Sequence, residues 1–346
     1  MLESFSAVVP GRVNLIGEHT DYNGGMVLPA ALSVRLEATL IPRADDDITV
    51  IAESHAGPAK RTLSDQASGH WSDPCVGALR EANALGLLTG GASLNVHSTI
   101  PEGAGLSSSA ALIVAILKAA RAVTDGAQTD IELAIAARRV ENSYMGVPCG
   151  IMDQMAVALA TPGSAMALDT KSIDYKLVSL PSSHQFVVIH SGIKRKLTDG
   201  RYAARKLECD RAKKYFGTDD LCLIEPEVLA RVESNEPFLR RAMHCATEHR
   251  RVLAAIDALQ SGDIETLGRM MNESHASMRD VFEISLPQID ALVQSAFELG
   301  AIGARLTGGG FGGCIVACIE RNSQPGWINR LLESHPDARL IDAIVP

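Results

Sequence analysis

The pattern of hydrophobic and polar positions changes character along the chain, from strand-like to helical and back to a mixed block. Near the start, Val13 and Leu15 alternate with Arg12 and Asn14, the two-residue period of a strand that puts Arg12 and Asn14 on one face. Residues 48–52 and 92–97 carry the same strand signal. Residues 110–123 are almost all apolar and rich in alanine, which predicts a buried helix. Residues 129–132 spell TDIE, a capping box that opens another helix. On it Leu133, Ala137, Val140 and Tyr144 share a core-facing stripe, and Glu141 lies at its edge.

A second strand-and-helix block begins near Gln185. Residues 186–190 predict a buried strand, and residues 201–215, 239–259 and 287–299 predict helices, with Gly300 closing the last. Within 239–259, Leu239, Met243, Ala246, Leu253 and Ile256 recur at helical spacing. The glycine-rich 307–313 then leads into an apolar strand at 314–319. The polar, proline-flanked stretch 170–183 is the candidate boundary, which divides the chain into domains 1–178 and 179–346.

A length of 346 residues agrees with two domains. With 46% hydrophobic and 21% charged residues the chain has the composition of a soluble globular protein, and with 4% aromatics its core must be built from Ala, Val, Leu and Ile. The net charge of −9 argues against nucleic acid or an anionic membrane as partner, while leaving room for an anionic substrate held locally. The seven cysteines form no CxxC pair, the pattern of reduced, mostly buried thiols in a cytoplasmic protein rather than of a zinc site. No signal peptide is expected from Met-Leu-Glu-Ser, and the longest apolar run, 110–117, is too short to cross a membrane. Asp45, Asp46 and Asp47 read as a solvated turn.

Three stretches carry candidate chemistry. PGRVNLIGEHTDYN, residues 10–23, ends in Glu18, His19, Thr20, Asp21, Tyr22 and Asn23. That mixture of donors and acceptors suits a polyhydroxylated ligand, and it also suits a polar surface turn. PEGAGLSSSAA, residues 101–111, sets Gly103, Gly105 and Leu106 before Ser107, Ser108 and Ser109 at the start of the apolar helix. A helix N-terminus there would receive phosphate, and a serine hydroxyl could ligate Mg²⁺; the plain alternative is a serine cap on a glycine turn. The GxxxxGK[ST] pattern is absent, and this glycine motif lacks the GxGxxG followed by a distal acidic residue, so a dinucleotide oxidoreductase is a poor fit. CGIMDQ, residues 149–154, places Asp153 among Met152 and Met155, where desolvation would make it a better base unless a cation lies near. Phosphoryl transfer needs a metal ligand, a cation and a carboxylate, and Glu141, Arg12 and Asp153 could fill those places if the fold unites them.

Taken together, these motifs and LTGGGFGGC at 306–314 resemble those of the galactokinases in the GHMP small-molecule kinase family, in family order and over nearly the whole chain. The resemblance implies an α+β fold of two domains, with mixed sheets, packed helices and the active site in the cleft between domains. It implies ATP-dependent phosphorylation of the anomeric hydroxyl of α-D-galactose, with Mg²⁺ as cofactor. Arg12 would steady the transferring phosphoryl group, and Asp153 would accept or orient the hydroxyl proton. Glu18, His19, Asp21, the Gly150 backbone and Tyr202 (in DGRYAARKLECD, residues 199–210) would hold the sugar. The backbone from Gly103 through Gly105, Leu106, Ser107 and Ser108 to Ser109 would cradle ATP phosphates. Ser109 and Glu141 would ligate Mg²⁺, with Ser108 as a further candidate ligand, and Trp71 would lie near adenine. Pro74 and Cys75 depart from the family, which often has an aromatic after that tryptophan. The alternatives are a kinase of the same fold for galacturonate, arabinose or N-acetylgalactosamine, and a non-catalytic sugar sensor. Oligomeric state is left open, the monomer being slightly preferred.

Overall fold

A computed structural model describes residues 3–194, 200–233 and 236–345. Asp199, which begins the segment bearing Tyr202, lies outside them. In chain order the first half runs β1 (Phe5–Asn14), β2 (Met26–Val27), β3 (Pro29–Pro42), β4 (Asp47–Ala52), β5 (Ala59–Thr62), α1 (Asp73–Ala84), β6 (Ala92–Ser98), α2 (Ser108–Thr124), α3 (Asp130–Arg139) and α4 (Met152–Leu159). There follow β7 (Ser164–Asp169), β8 (Tyr175–Ser179), β9 (His184–His190), α5 (Arg201–Phe216), α6 (Pro226–Ala230), α7 (Pro237–Ser261) and α8 (Ile264–Asp280). The chain ends with α9 (Pro287–Glu298), β10 (Gly303–Thr307), β11 (Cys314–Glu320), α10 (Gln324–Ser334) and β12 (Arg339–Ile344).

The chain forms two compact units, each discontinuous in sequence. One comprises Met1–Arg12, Ser33–Glu102 and Ser107–Leu159. In it β6 pairs antiparallel with β3, from Leu36 opposite Ser98 to Pro42 opposite Ala92, and parallel with β4, which pairs antiparallel with β5. α2 is buried from Ala110 to Ala111 and from Ile113 to Leu117, and its alanines let α1, α3 and α4 pack closely against it. The capping box forms as expected. The Glu132 amide donates to Thr129 Oγ1 at 3.2 Å, and the Thr129 amide donates to Glu132 Oε2 at 2.6 Å. Beyond Arg139 the helix widens into one π turn, Val140–Tyr144, which the periodicity of the sequence did not reveal. Gly77 on α1 permits this turn to lie close, because a Cβ there would stand 2.5 Å from Val140 Cγ1.

The other unit comprises Val13–Leu32, Gly103–Leu106 and Ala160–Pro346. Its antiparallel sheet has the order β10-β11-β9-β12. Val187, Ile189, Ala304, Leu306, Ile315 and Ala317 from these strands bury themselves against Ala242, Ala246, Met278, Leu292 and Trp327 from the helices. β2, β7 and β8 form a small antiparallel ladder, so the polar stretch 170–183 contains a strand, β8. The helical stripe expected on α7 needs one correction. Leu253 is exposed, and the buried face runs through Leu239, Ala242, Ala246, Val252, Ala255, Ile256 and Leu259. All seven cysteines are free thiols, six buried and Cys149 half-buried. Among the described residues no helix is long and apolar enough to cross a membrane.

Candidate active site

In the first unit, β1 delivers Arg12 at its buried end and α4 presents Asp153 in its first turn. The guanidinium forks onto the carboxylate. Nε reaches Oδ1 at 2.9 Å, and Nη2 reaches Oδ1 at 2.7 Å and Oδ2 at 2.8 Å. Such paired bonds fix both groups more rigidly than a point charge would. The Arg12 side chain is 6% exposed and that of Asp153 is 32% exposed, so the carboxylate keeps an open side. The apolar setting read from CGIMDQ therefore comes with a neighbouring cation.

Glu141 lies in the π turn, buried rather than at an edge. Ser109 Oγ donates to its Oε1 at 2.8 Å, the Gln154 amide donates to its Oε2, and Cys149 Sγ stands 3.8 Å from the same oxygen. Burial raises the proton affinity of Glu141, and the charge of Asp153 raises it further, against the pull of these hydrogen bonds. A carboxylate in that position gains from a cation. Among the described residues no three His, Cys, Asp or Glu side chains cluster to hold a metal by themselves. Mg²⁺ needs no such cluster, since it usually takes one or two protein oxygens and fills the rest with phosphate and water. The hydroxyl of Ser109 and the carboxylate of Glu141 fit that demand.

The glycine-serine loop has a left-handed backbone, with φ of +70° at Gly103 and +76° at Gly105. Ser107 shares it at +66°, a conformation uncommon outside glycine. α2 then begins at Ser108. Ser107 makes no capping bond, and its Oγ is buried without a hydrogen-bond partner among the described residues. A simple serine cap would have used that oxygen on the helix's own amides. Gly150 is buried just ahead of α4, and Trp71 stacks on His55 at 4.1 Å with their planes 18° apart.

The second unit holds the polar end of PGRVNLIGEHTDYN. Glu18 is 2% exposed and its oxygens are taken up by the protein. Arg305 bonds Oε2, while the Gly308 amide at 2.9 Å and the Thr307 hydroxyl at 3.2 Å bond Oε1. The expected sugar ligand is thus also the tie between this loop and LTGGGFGGC. His19 adopts φ +61° and bonds Tyr22 through Nδ1 at 2.7 Å. Its ring lies 5.3 Å from that of Tyr202 and 4.5 Å from that of Phe282, so His19, Tyr22 and Tyr202 make one aromatic group, with Asp21 half-buried in the same loop.

Sequence reasoning missed the residues beneath this loop. Glu248 accepts from the Gly17 amide at 3.0 Å, from Ser274 Oγ at 2.6 Å and from Arg251 Nε at 2.8 Å, and lies 3.7 Å from Arg305. Burial pushes its pKa up, yet Arg251, His244 and Arg305 together hold it down to about 2. His244 donates from Nε2 to the Glu18 carbonyl at 3.1 Å and accepts at Nδ1 from Ser277 Oγ at 2.8 Å. Burial lowers its pKa to about 4, against the charge of Glu248. The one available signal was Arg305, a lone cation in an apolar strand directly before the third motif.

The model of GHMP kinases N terminal domain matches residues 73–161, and that of GHMP kinases C terminal matches residues 255–331. The galactokinase galactose-binding signature matches residues 3–39. Lactococcus lactis galactokinase complexed with galactose is similar at 28% identity with a TM-score of 0.94, covering 99% of this chain and 94% of that one. Methanococcus jannaschii mevalonate kinase shares the fold at 18% identity and a TM-score of 0.75, with 99% of both chains covered. Streptococcus pneumoniae phosphomevalonate kinase, in complex with phosphomevalonate and AMPPNP, shares it at 15% identity and a TM-score of 0.71, with 98% of both chains covered. An α+β chain with this loop, this helix start and this Arg–Asp pair has the build of an ATP-using small-molecule kinase. It belongs to the GHMP kinase family, and within that family to the galactokinases.

Proposed function

We propose that the chain transfers the γ-phosphoryl group of ATP to the anomeric hydroxyl of α-D-galactose, giving galactose 1-phosphate and ADP. The observation that carries this reading is the forked Arg12–Asp153 pair, whose carboxylate stays partly open. Asp153 accepts a hydrogen bond from the anomeric hydroxyl and takes up or orients its proton as the oxygen attacks phosphorus. Arg12 holds that carboxylate in place and balances negative charge gathering on the transferring group. Ser109 and Glu141 hold Mg²⁺, which when bound neutralises charge on the phosphates. The left-handed loop from Gly103 to Ser107 and the first amides of α2 receive the phosphates, with Ser107 Oγ a further donor. His19, Asp21, Tyr202 and the Gly150 backbone hold the sugar, and Glu18 does so with what lone-pair capacity its protein partners leave. Trp71, backed by His55, offers a flat face to adenine. Seven free thiols agree with work in the cytoplasm.

The test is ADP release with a panel of hexoses, pentoses and uronic acids, with phosphorus NMR to locate the new ester. Galactose should be the best acceptor, phosphorylated at the anomeric oxygen. Higher turnover with a uronic acid, a pentose or N-acetylgalactosamine would assign a related sugar kinase, and galactose binding without ADP would assign a sensor.

A further inference from the structure

We propose that Gln154 is a positioning residue for the cation-binding carboxylate of Glu141. The proposal rests on the reading above that Ser109 and Glu141 bind the cation of the metal–nucleotide complex. Gln154 is fully buried on α4, next to Asp153. Its Nε2 donates to Glu141 Oε2 and approaches Cys149 Sγ at 3.5 Å. The amide can face the carboxylate only through nitrogen, because its oxygen would repel the charge. Ser109 bonds the opposite oxygen, Oε1, at 2.8 Å. Donors from α2 and α4 therefore grip the carboxylate from both sides.

Two further observations separate this arrangement from ordinary packing. Glu141 sits in the π turn Val140–Tyr144, a rare backbone form that recurs at functional sites. Gln154 Oε1 is buried with no hydrogen-bond partner among the described residues, a half-satisfied state that folding alone does not favour. The side chain is thus committed to Glu141 at the expense of its own carbonyl. Partners one step removed from a metal ligand commonly govern its affinity through orientation.

The experiment compares wild type with Gln154→Met, which keeps the volume and loses the amide, and Gln154→Asn, which keeps the amide and loses the reach. Mn²⁺ binding to the protein with a non-hydrolysable ATP analogue is followed by electron paramagnetic resonance, and galactose binding without nucleotide by calorimetry. Mn²⁺ affinity should fall about 10- to 100-fold in both variants. Galactose affinity should stay within about twofold, since among the described residues the Gln154 amide bonds Glu141 and Cys149, neither of them assigned to the sugar. Unchanged Mn²⁺ affinity in whichever variant folds would overturn the proposal, as would parallel loss of Mn²⁺ and galactose binding, which marks a general packing role. Absence of Mn²⁺ binding in wild type would instead remove the assignment of Ser109 and Glu141.

Discussion

Two of the arginine–carboxylate pairs, Arg305–Glu18 in one unit and Arg12–Asp153 in the other, differ in an instructive way. Arg305 is 0% exposed and Glu18 2%, whereas in the Arg12–Asp153 pair the carboxylate is 32% exposed. The first pair is enclosed by Glu248, Thr307 and Gly308, with Met278 Sδ at 3.4 Å from Arg305. Its guanidinium is wholly shut off from solvent. The second pair keeps an exposed carboxylate edge that can exchange a hydrogen bond with a substrate hydroxyl. The same two functional groups therefore act as a structural tie where water is excluded and as a reactive pair where one oxygen edge stays open.

Breaking the closed pair should have the larger effect on stability. Arg305→Met strands Glu18 and part of the charge on Glu248 in a buried setting and should cost about 3–5 kcal/mol, read as a large drop in melting temperature. A variant melting like wild type would show that the tie is dispensable. A smaller effect comes from acid. His244 has its folded pKa lowered to about 4 from 6.5, so the unfolded chain binds the extra proton. Stability is complete above pH 6.5 and is lost as pH falls through about 4, by up to ~3 kcal/mol from this residue. His275, also lowered to about 4, adds to the slope. Melting temperatures from pH 7 to 4 should fall, and His244→Gln should flatten the curve; an identical slope would contradict the assignment.

Much of the open site was legible because its signals are local. The serine-led α2 and the TDIE cap depend on neighbouring residues, and each took the form its sequence suggested. Arg12 and Asp153 were singled out by residue type, but their meeting across 141 positions is a product of the fold. The closed site was hardly legible. Glu248 and His244 sit on α7 as ordinary polar residues of a mixed helix, and only tertiary contacts reveal their burial. The π turn escaped for a related reason. A reading at 3.6 residues per turn assumes the ladder stays regular, and the widening that buries Glu141 breaks that assumption. Leu253 misled in the opposite direction, since its spacing fits the stripe of α7 while its side chain faces out.

The distinction between a reacting pair and a structural pair is tested most directly by Asp153→Asn. Galactose-dependent ADP release should fall about 10²- to 10⁴-fold, while calorimetric galactose binding persists and the melting temperature stays close to wild type. Near-normal turnover in that variant would contradict the role of Asp153, and loss of folding with it would make the Arg12 pair structural after all.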